Sequence, residues 1–387
     1  MMNRREFLRS AAAGGVLAWL PRHGWAAANY QKLLILVELK GGNDGLNTVI
    51  PYADERYAAL RPRLAVARDQ VLQLDDSSGL HPSLAPLMPL WNAGEIAVVQ
   101  GVGYPSANLS HFRSIEIWDT ASKSNEFLQD GWLARAFTHA PVPRSYAADA
   151  VVVGSAEMGP FSGSGARATR TIALTNTEQF LQQAKLAVAA GQAHNTALNH
   201  ILRVEQDIAQ AASGLNTQHA FKSPFPATAF GNAIRTASQV VASRAGVAAI
   251  KVSLNGFDTH SAQAGTHVRL LKDLADGLFA LKGALGETGR WDDTLIATYA
   301  EFGRRPRENA SAGTDHGTAS AHFVLGGRIK GGLYGQRPAF DRLDGNGNLP
   351  FTVDFRDIYA TVLERWWGLD AVAALRGRFT TLDLVKT

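Results

Sequence analysis

The sequence predicts an α/β protein with a doubly wound, mainly parallel sheet flanked by helices. Three observations carry this. Four apolar runs, residues 32–39, 96–99, 247–254 and 294–299, are continuous rather than alternating, as expected of strands covered on both faces. Helical patterns alternate with these runs. Each run also ends in a polar loop holding Asp, Ser, His or Glu, and in open α/β sheets the carboxyl ends of the strands are where ligands bind.

The 387 residues suit one large domain or two modest ones. Residues 1–28 read as a targeting segment outside the fold. Arg4 and Arg5 precede Phe7-Leu8, a mildly apolar run follows from Ala11 to Leu20, and Ala26-Ala27-Ala28 closes a plausible cleavage site. That run is too short to span a bilayer, and no transmembrane segment is expected in the mature chain. The expectation is export through the twin-arginine machinery to the periplasm or beyond. The segment carries a net +3 of the formal +4, so the remainder is nearly neutral and gives no ground for nucleic-acid binding. With no cysteine, disulfides, thiolate nucleophiles and thiolate-bound metals are excluded.

Residues 29–387 then form the folded domain. The first strand delivers Gly41-Gly42-Asn43-Asp44-Gly45, either a tight turn or a loop presenting Asp44 to an ion. Arg61-Pro62 and His81-Pro82 are breakers, and Leu84 to Trp91 is a short helix interrupted by proline. The strand at 96–99 leads through a long loop to Ser110, after which Phe112, Ile115 and Trp118 have helical spacing. Ser110 reads two ways, as an N-cap or as a hydroxyl nucleophile at a helix start. Residues 126–170 read as peripheral surface, with Val151–Val153 a short strand and 159–165 a flexible loop or lid. A helical insertion is expected at about 176–245. The strand at 247–254 delivers Asp258 and His260, and a helix follows from 268 to 285. The strand at 294–299 stops at Glu301-Phe302-Gly303-Arg304. A polar loop, then Gly313-Thr314-Asp315-His316, precede another apolar run at 322–325. A closing amphipathic helix spans 354–366.

The order of an Asp loop, a Ser at a helix start, Asp-x-His, an acidic loop and a His loop resembles the alkaline phosphatase and sulfatase-like superfamily. Gly41–Asn47, Ser110–Ser114, Gly256–His260, Glu301–Arg304 and Gly313–His316 together resemble an uncharacterised, twin-arginine-exported family with a domain of unknown function, over about residues 30–385. The resemblance implies a divalent cation bound by Asp44, Asp258, His260 and His316; mixed oxygen and nitrogen ligands without sulfur suit Zn, Mn or Mg, and Glu301 and Asp315 are further candidate ligands. It implies a nucleophile near Ser110, with His111 as the next side chain to test. Arg113, Arg304 and Arg305 are candidates to grip ester oxygens, though Arg305 reads better as a surface residue. The sequence departs from the superfamily at Phe302, which stands where an Asp-His pair is usual and cannot ligate.

The leading expectation is an exported metal-dependent hydrolase of phosphate or sulfate esters, its partner a small anionic ester. The alternative is a non-catalytic envelope protein with a degenerate metal- or anion-binding site, which Phe302 favours. A purely structural partner-binding module explains the fold but not the clustered Asp and His loops.

Overall fold

The computed structural model describes residues 28–174 and 219–386. The expected targeting segment and most of the expected helical insertion lie outside the described residues. The central sheet contains β1 (Leu33–Lys40), β2 (Ile96–Gly103), β3 (Ala148–Val153), β4 (Thr171–Leu174), β5 (Val247–Asn255), β6 (Thr294–Tyr299), β9 (Ser320–Leu325), β10 (Gly332–Gly335) and β11 (Val353–Asp354). Its order is β10-β2-β9-β6-β1-β5-β3-β4, with β11 also pairing β2. All neighbours pair in parallel except β9, which runs antiparallel to both β2 and β6. The architecture is therefore a mixed, mainly parallel sheet between helices. Two further strands, β7 (Gly303–Glu308) and β8 (Thr314–Gly317), form a separate antiparallel hairpin. A small three-stranded sheet pairs residues 49–50, 79–80 and 72–73.

Burial on both faces follows from the continuous apolar runs. In β1, Leu33, Ile35, Val37 and Leu39 join one core, and Leu34 and Leu36 join the other. The first core is completed by helices α3 (Ala229–Ala242) and α4 (Gln263–Glu287) through Phe230, Ile234, Leu271 and Leu274. The second is aromatic. Helices α1 (His111–Thr120), α2 (Trp132–His139) and α5 (Phe355–Ala360) bring Trp118, Trp132 and Tyr359 together. The Trp132 and Tyr359 rings stack at 4.3 Å between centroids. Full burial of such side chains contributes roughly 1.5–3 kcal/mol each.

Three readings of the sequence need correction. Residues 126–170 are not peripheral, because β3 is buried along its whole length inside the sheet and α2 buries six of its residues. The polar stretch after Phe302 is not a loop. It is β7, with Arg304 and Glu308 buried by specific partners that sequence periodicity does not reveal. The helix expected from 268 begins earlier, since α4 starts at Gln263 and His267 lies in its buried face.

Candidate metal centre

The site lies at the carboxyl ends of β1, β5 and β6. The chain leaves β1 through Gly41, whose φ is +112°. A Cβ there would stand 2.4 Å from the backbone nitrogen of Asp258, so only glycine lets the loops after β1 and β5 approach this closely. The loop after β6 supplies Glu301 and Phe302, the β7–β8 hairpin supplies His316, and the first residue of α1 is His111.

Asp258 is the centre of the arrangement. Its Oδ1 lies 3.0 Å from His260 Nε2 and 3.1 Å from His316 Nε2, and its Oδ2 lies 3.3 Å from His111 Nε2. The Nε2 atoms of His260 and His316 are 2.9 Å apart. Donors bound to one tetrahedral ion at ~2.0 Å would stand ~3.3 Å apart, close to this spacing. His111, Asp258 and His316 can also offer atoms all within 4.8 Å of one another.

The outer ring nitrogens are held from behind. His111 Nδ1 is 2.9 Å from Glu301 Oε1, and His316 Nδ1 is 2.8 Å from the Leu109 carbonyl oxygen. A neutral imidazole that donates Nδ1–H to such an acceptor keeps its Nε2 lone pair facing the cluster. Glu301 Oε1 also accepts from the Gly41 backbone N–H at 2.8 Å, which fixes the carboxylate. Phe302, fully buried, packs its ring 4.2 Å from that of His316 and 4.9 Å from that of His111. It ligates nothing, but it walls the two imidazoles in place.

Electrostatics hold Asp258 ionised. Partial burial alone would raise its pKa, yet the hydrogen bond and the charge of Arg304 bring it down to about 2. Burial lowers the pKa of His316, with Arg304 and His111 acting in the same direction, which favours the unprotonated, ligating ring. Asp258 and His260 remain 44% and 45% exposed, so solvent and a small ligand reach the cluster from one side.

The sequence candidates separate into distinct groups. Asp258, His260, His316 and His111 converge, and Glu301 stands directly behind His111. Asp315 lies beside the cluster, 3.8 Å from His260 Nδ1, and takes a hydrogen bond from Asn309. Asp44 is not among them. Fully buried, it caps the helical turn Gly45–Thr48, pairs with Arg61 at 2.6 Å and accepts from Gln263. Burial would raise its pKa, but Arg61 wins and lowers it.

Arg304 does not face an ester either. Its buried guanidinium donates to the carbonyls of Gly41, Gly42, Phe257 and Thr314 and to Asp258, clamping the loops together. Arg113 is occupied by the carbonyls of Lys123, Ser124 and Glu126, by Glu116, and by the face of Phe127 at 3.9 Å. Arg305 is partly exposed and approaches Asp315 at 4.0 Å. Ser110 holds the N-cap position of α1, as one reading of the sequence expected, but its side chain makes no cap bond, and among the described residues its hydroxyl is uncommitted.

Sequence reasoning missed Arg61 and Gln263 altogether. Arg61 was legible only as the residue before a proline, and nothing local announces that its guanidinium is wholly buried against Asp44.

A family model matches residues 31–377, most of the chain. The chain belongs to the family described as Protein of unknown function (DUF1501). No curated protein matches this member of the family. Among solved structures it is similar to a protein in the alkaline phosphatase superfamily from Vibrio parahaemolyticus, at 12% identity and a TM-score of 0.43, covering 98% of this chain and 78% of that one. It is also similar to the PsFucS1 sulfatase from Pseudoalteromonas sp., at 10% identity and 0.39, covering 91% and 70%. A third is the lipoteichoic acid synthase LtaP from Listeria monocytogenes, at 11% identity and 0.35, covering 80% and 68%.

Proposed function

We propose that this protein is a metal-dependent hydrolase of phosphate or sulfate esters, exported by the twin-arginine route. The observation that carries the reading is the convergence of three imidazole Nε2 atoms on Asp258, with two of the rings held from behind by Glu301 and the Leu109 carbonyl. Such a donor set fits a borderline transition ion such as Zn or Mn better than Mg, which prefers oxygen ligands. His111, Asp258, His260 and His316 would hold it. When bound, the ion supplies Lewis-acid stabilisation of developing negative charge and lowers the pKa of a nearby hydroxyl or water.

The chain's own residues do the rest. Glu301 fixes the tautomer of His111, and Arg304 fixes the carboxylate of Asp258. Ser110 stands at the amino end of a ten-residue helix, where free N–H groups and the helix dipole favour an anionic ester. In hydrolysis the Ser110 oxygen bonds to phosphorus or sulfur while the alcohol oxygen departs with a proton. Water then repeats the displacement and frees phosphate or sulfate.

A non-catalytic binding protein is the second reading. It is favoured by the Ser110 hydroxyl, which makes no cap bond and meets no hydrogen-bonded base among the described residues. Metal analysis combined with turnover of an aryl phosphate and an aryl sulfate separates the two. The hydrolase reading expects metal in wild type and in Ser110→Ala, turnover only in wild type, and loss of both in Asp258→Ala. Metal without turnover in wild type selects the binding reading. A wild-type chain that takes up no metal refutes both. Export is tested by replacing Arg4 and Arg5 with Lys, which should leave uncleaved precursor in the cytoplasm; normal processing of that variant would overturn it.

A further inference from the structure

At the opposite, amino-terminal ends of the same strands lies a cleft of about 360 Å³. One wall is apolar, built by Val240 and Val241 at the end of α3 and by Val247 at the start of β5. The other wall carries Tyr146, Arg244 and Arg290, and no carboxylate of the described residues lines the cleft. Arg290 donates one N–H to the Gln31 carbonyl at 2.6 Å, while its Nε is buried and finds no partner among the described residues. Arg244 is exposed at the turn that follows α3, and among the described residues its guanidinium meets no acid. Two guanidiniums with no acidic partner among the described residues, beside an apolar wall, are well placed for an anion.

The turn itself is shaped for this cleft. Gly246 has φ +79°, and a Cβ there would stand 2.8 Å from the Tyr146 ring. Only glycine lets the ring pack this closely against the turn at the side of the cleft. Pockets that orient small ligands commonly combine an apolar lining with a few convergent polar groups.

We propose that this cleft binds a small organic anion, its carboxylate or phosphate head on Arg244 and Arg290 and its apolar body between Tyr146 and the three valines. The site is separate from the imidazole cluster and does not rest on any hydrolytic activity. Titration calorimetry of the full chain with benzoate, phenyl phosphate and inorganic phosphate tests it. Saturable binding of the ring-bearing anions in the millimolar range or tighter is expected, with inorganic phosphate weaker. Whichever of benzoate and phenyl phosphate binds more tightly identifies the head group.

Arg244 has φ +53°, a left-handed conformation that glycine adopts freely, so Arg244→Gly removes the charge without threatening the fold. That variant should lose at least about tenfold in affinity, and Arg244→Lys should recover part of it. Gly246→Ala should weaken the ring-bearing probes more than inorganic phosphate. The proposal is overturned by absence of saturable binding, by unchanged affinity in Arg244→Gly, or by inorganic phosphate binding as tightly as phenyl phosphate.

Discussion

Asp44 and Asp258 follow neighbouring parallel strands and stand in similar glycine-rich loops, yet the fold puts them to opposite uses. Asp258 is 44% exposed, faces three imidazole edges and keeps one side open to solvent. Asp44 is sealed, its oxygens taken by Arg61, Gln263 and the backbone of Leu46 and Asn47. Around it Asn43, Thr48, Tyr57 and His267 continue a buried hydrogen-bonded network. An aspartate is available to an ion only while one of its oxygens is left unclaimed. In Asp44, Arg61 and Gln263 take one oxygen and backbone N–H groups take the other. Arg304 touches Asp258 as well, but from one side only, and leaves Oδ2 facing His111.

The comparison breaks most sharply at Asp44. Asp44→Ala should destabilise the chain by about 3–5 kcal/mol, because it strands a buried guanidinium. Urea unfolding measures this. Unchanged stability, together with lost metal, would return Asp44 to the ligand set.

Acidification probes the sealed network next. His267 is buried beside Asp44, and burial, reinforced by His81, Arg61 and Arg304, lowers its pKa to about 4. Near pH 7 the ring is neutral both folded and unfolded, so it adds no pH dependence. Below about 6.5 the unfolded chain takes up a proton that the folded chain refuses, and stability falls until about pH 4. The loss from this one group should approach about 3 kcal/mol. His81 and His322, also held low by burial, add to the same slope. Unfolding curves between pH 7 and 4 should therefore be shallower in pH for His267→Gln than for wild type. Identical slopes would contradict the burial argument.

The smallest effect sharpens the open site. Glu301→Gln keeps an oxygen for the Gly41 N–H but removes the carboxylate behind His111. Metal affinity should fall about tenfold to a hundredfold, with the fold intact. Competition with a chelator measures it. An unchanged affinity would mean that His111 does not ligate.

Much of this was legible in the chain. Continuous apolar runs predict strands buried on both faces, and β1, β2, β5 and β6 are such strands. The loops after them hold the residues that converge, because parallel strands deliver all their carboxyl ends to one edge. The strand β7 was not legible, since Gly-Arg-Arg-Pro-Arg-Glu has no strand periodicity. It is buried because Arg304 finds four carbonyls and Glu308 accepts from Arg63 and Leu64, contacts made with residues far away in sequence.

By itself, then, the sequence determined the class of fold, the edge of the sheet where chemistry-bearing side chains gather, and most of their identities. Those follow from local pattern and from the polarity of parallel strands. Tertiary structure alone decided that Arg61 removes Asp44 from the set, that Arg304 is a clamp, that Phe302 is a wall and that His111 turns its Nε2 toward Asp258. Each of these depends on which distant partner reaches a side chain and on how much water remains beside it, and neither is written in the spacing of residues along the chain.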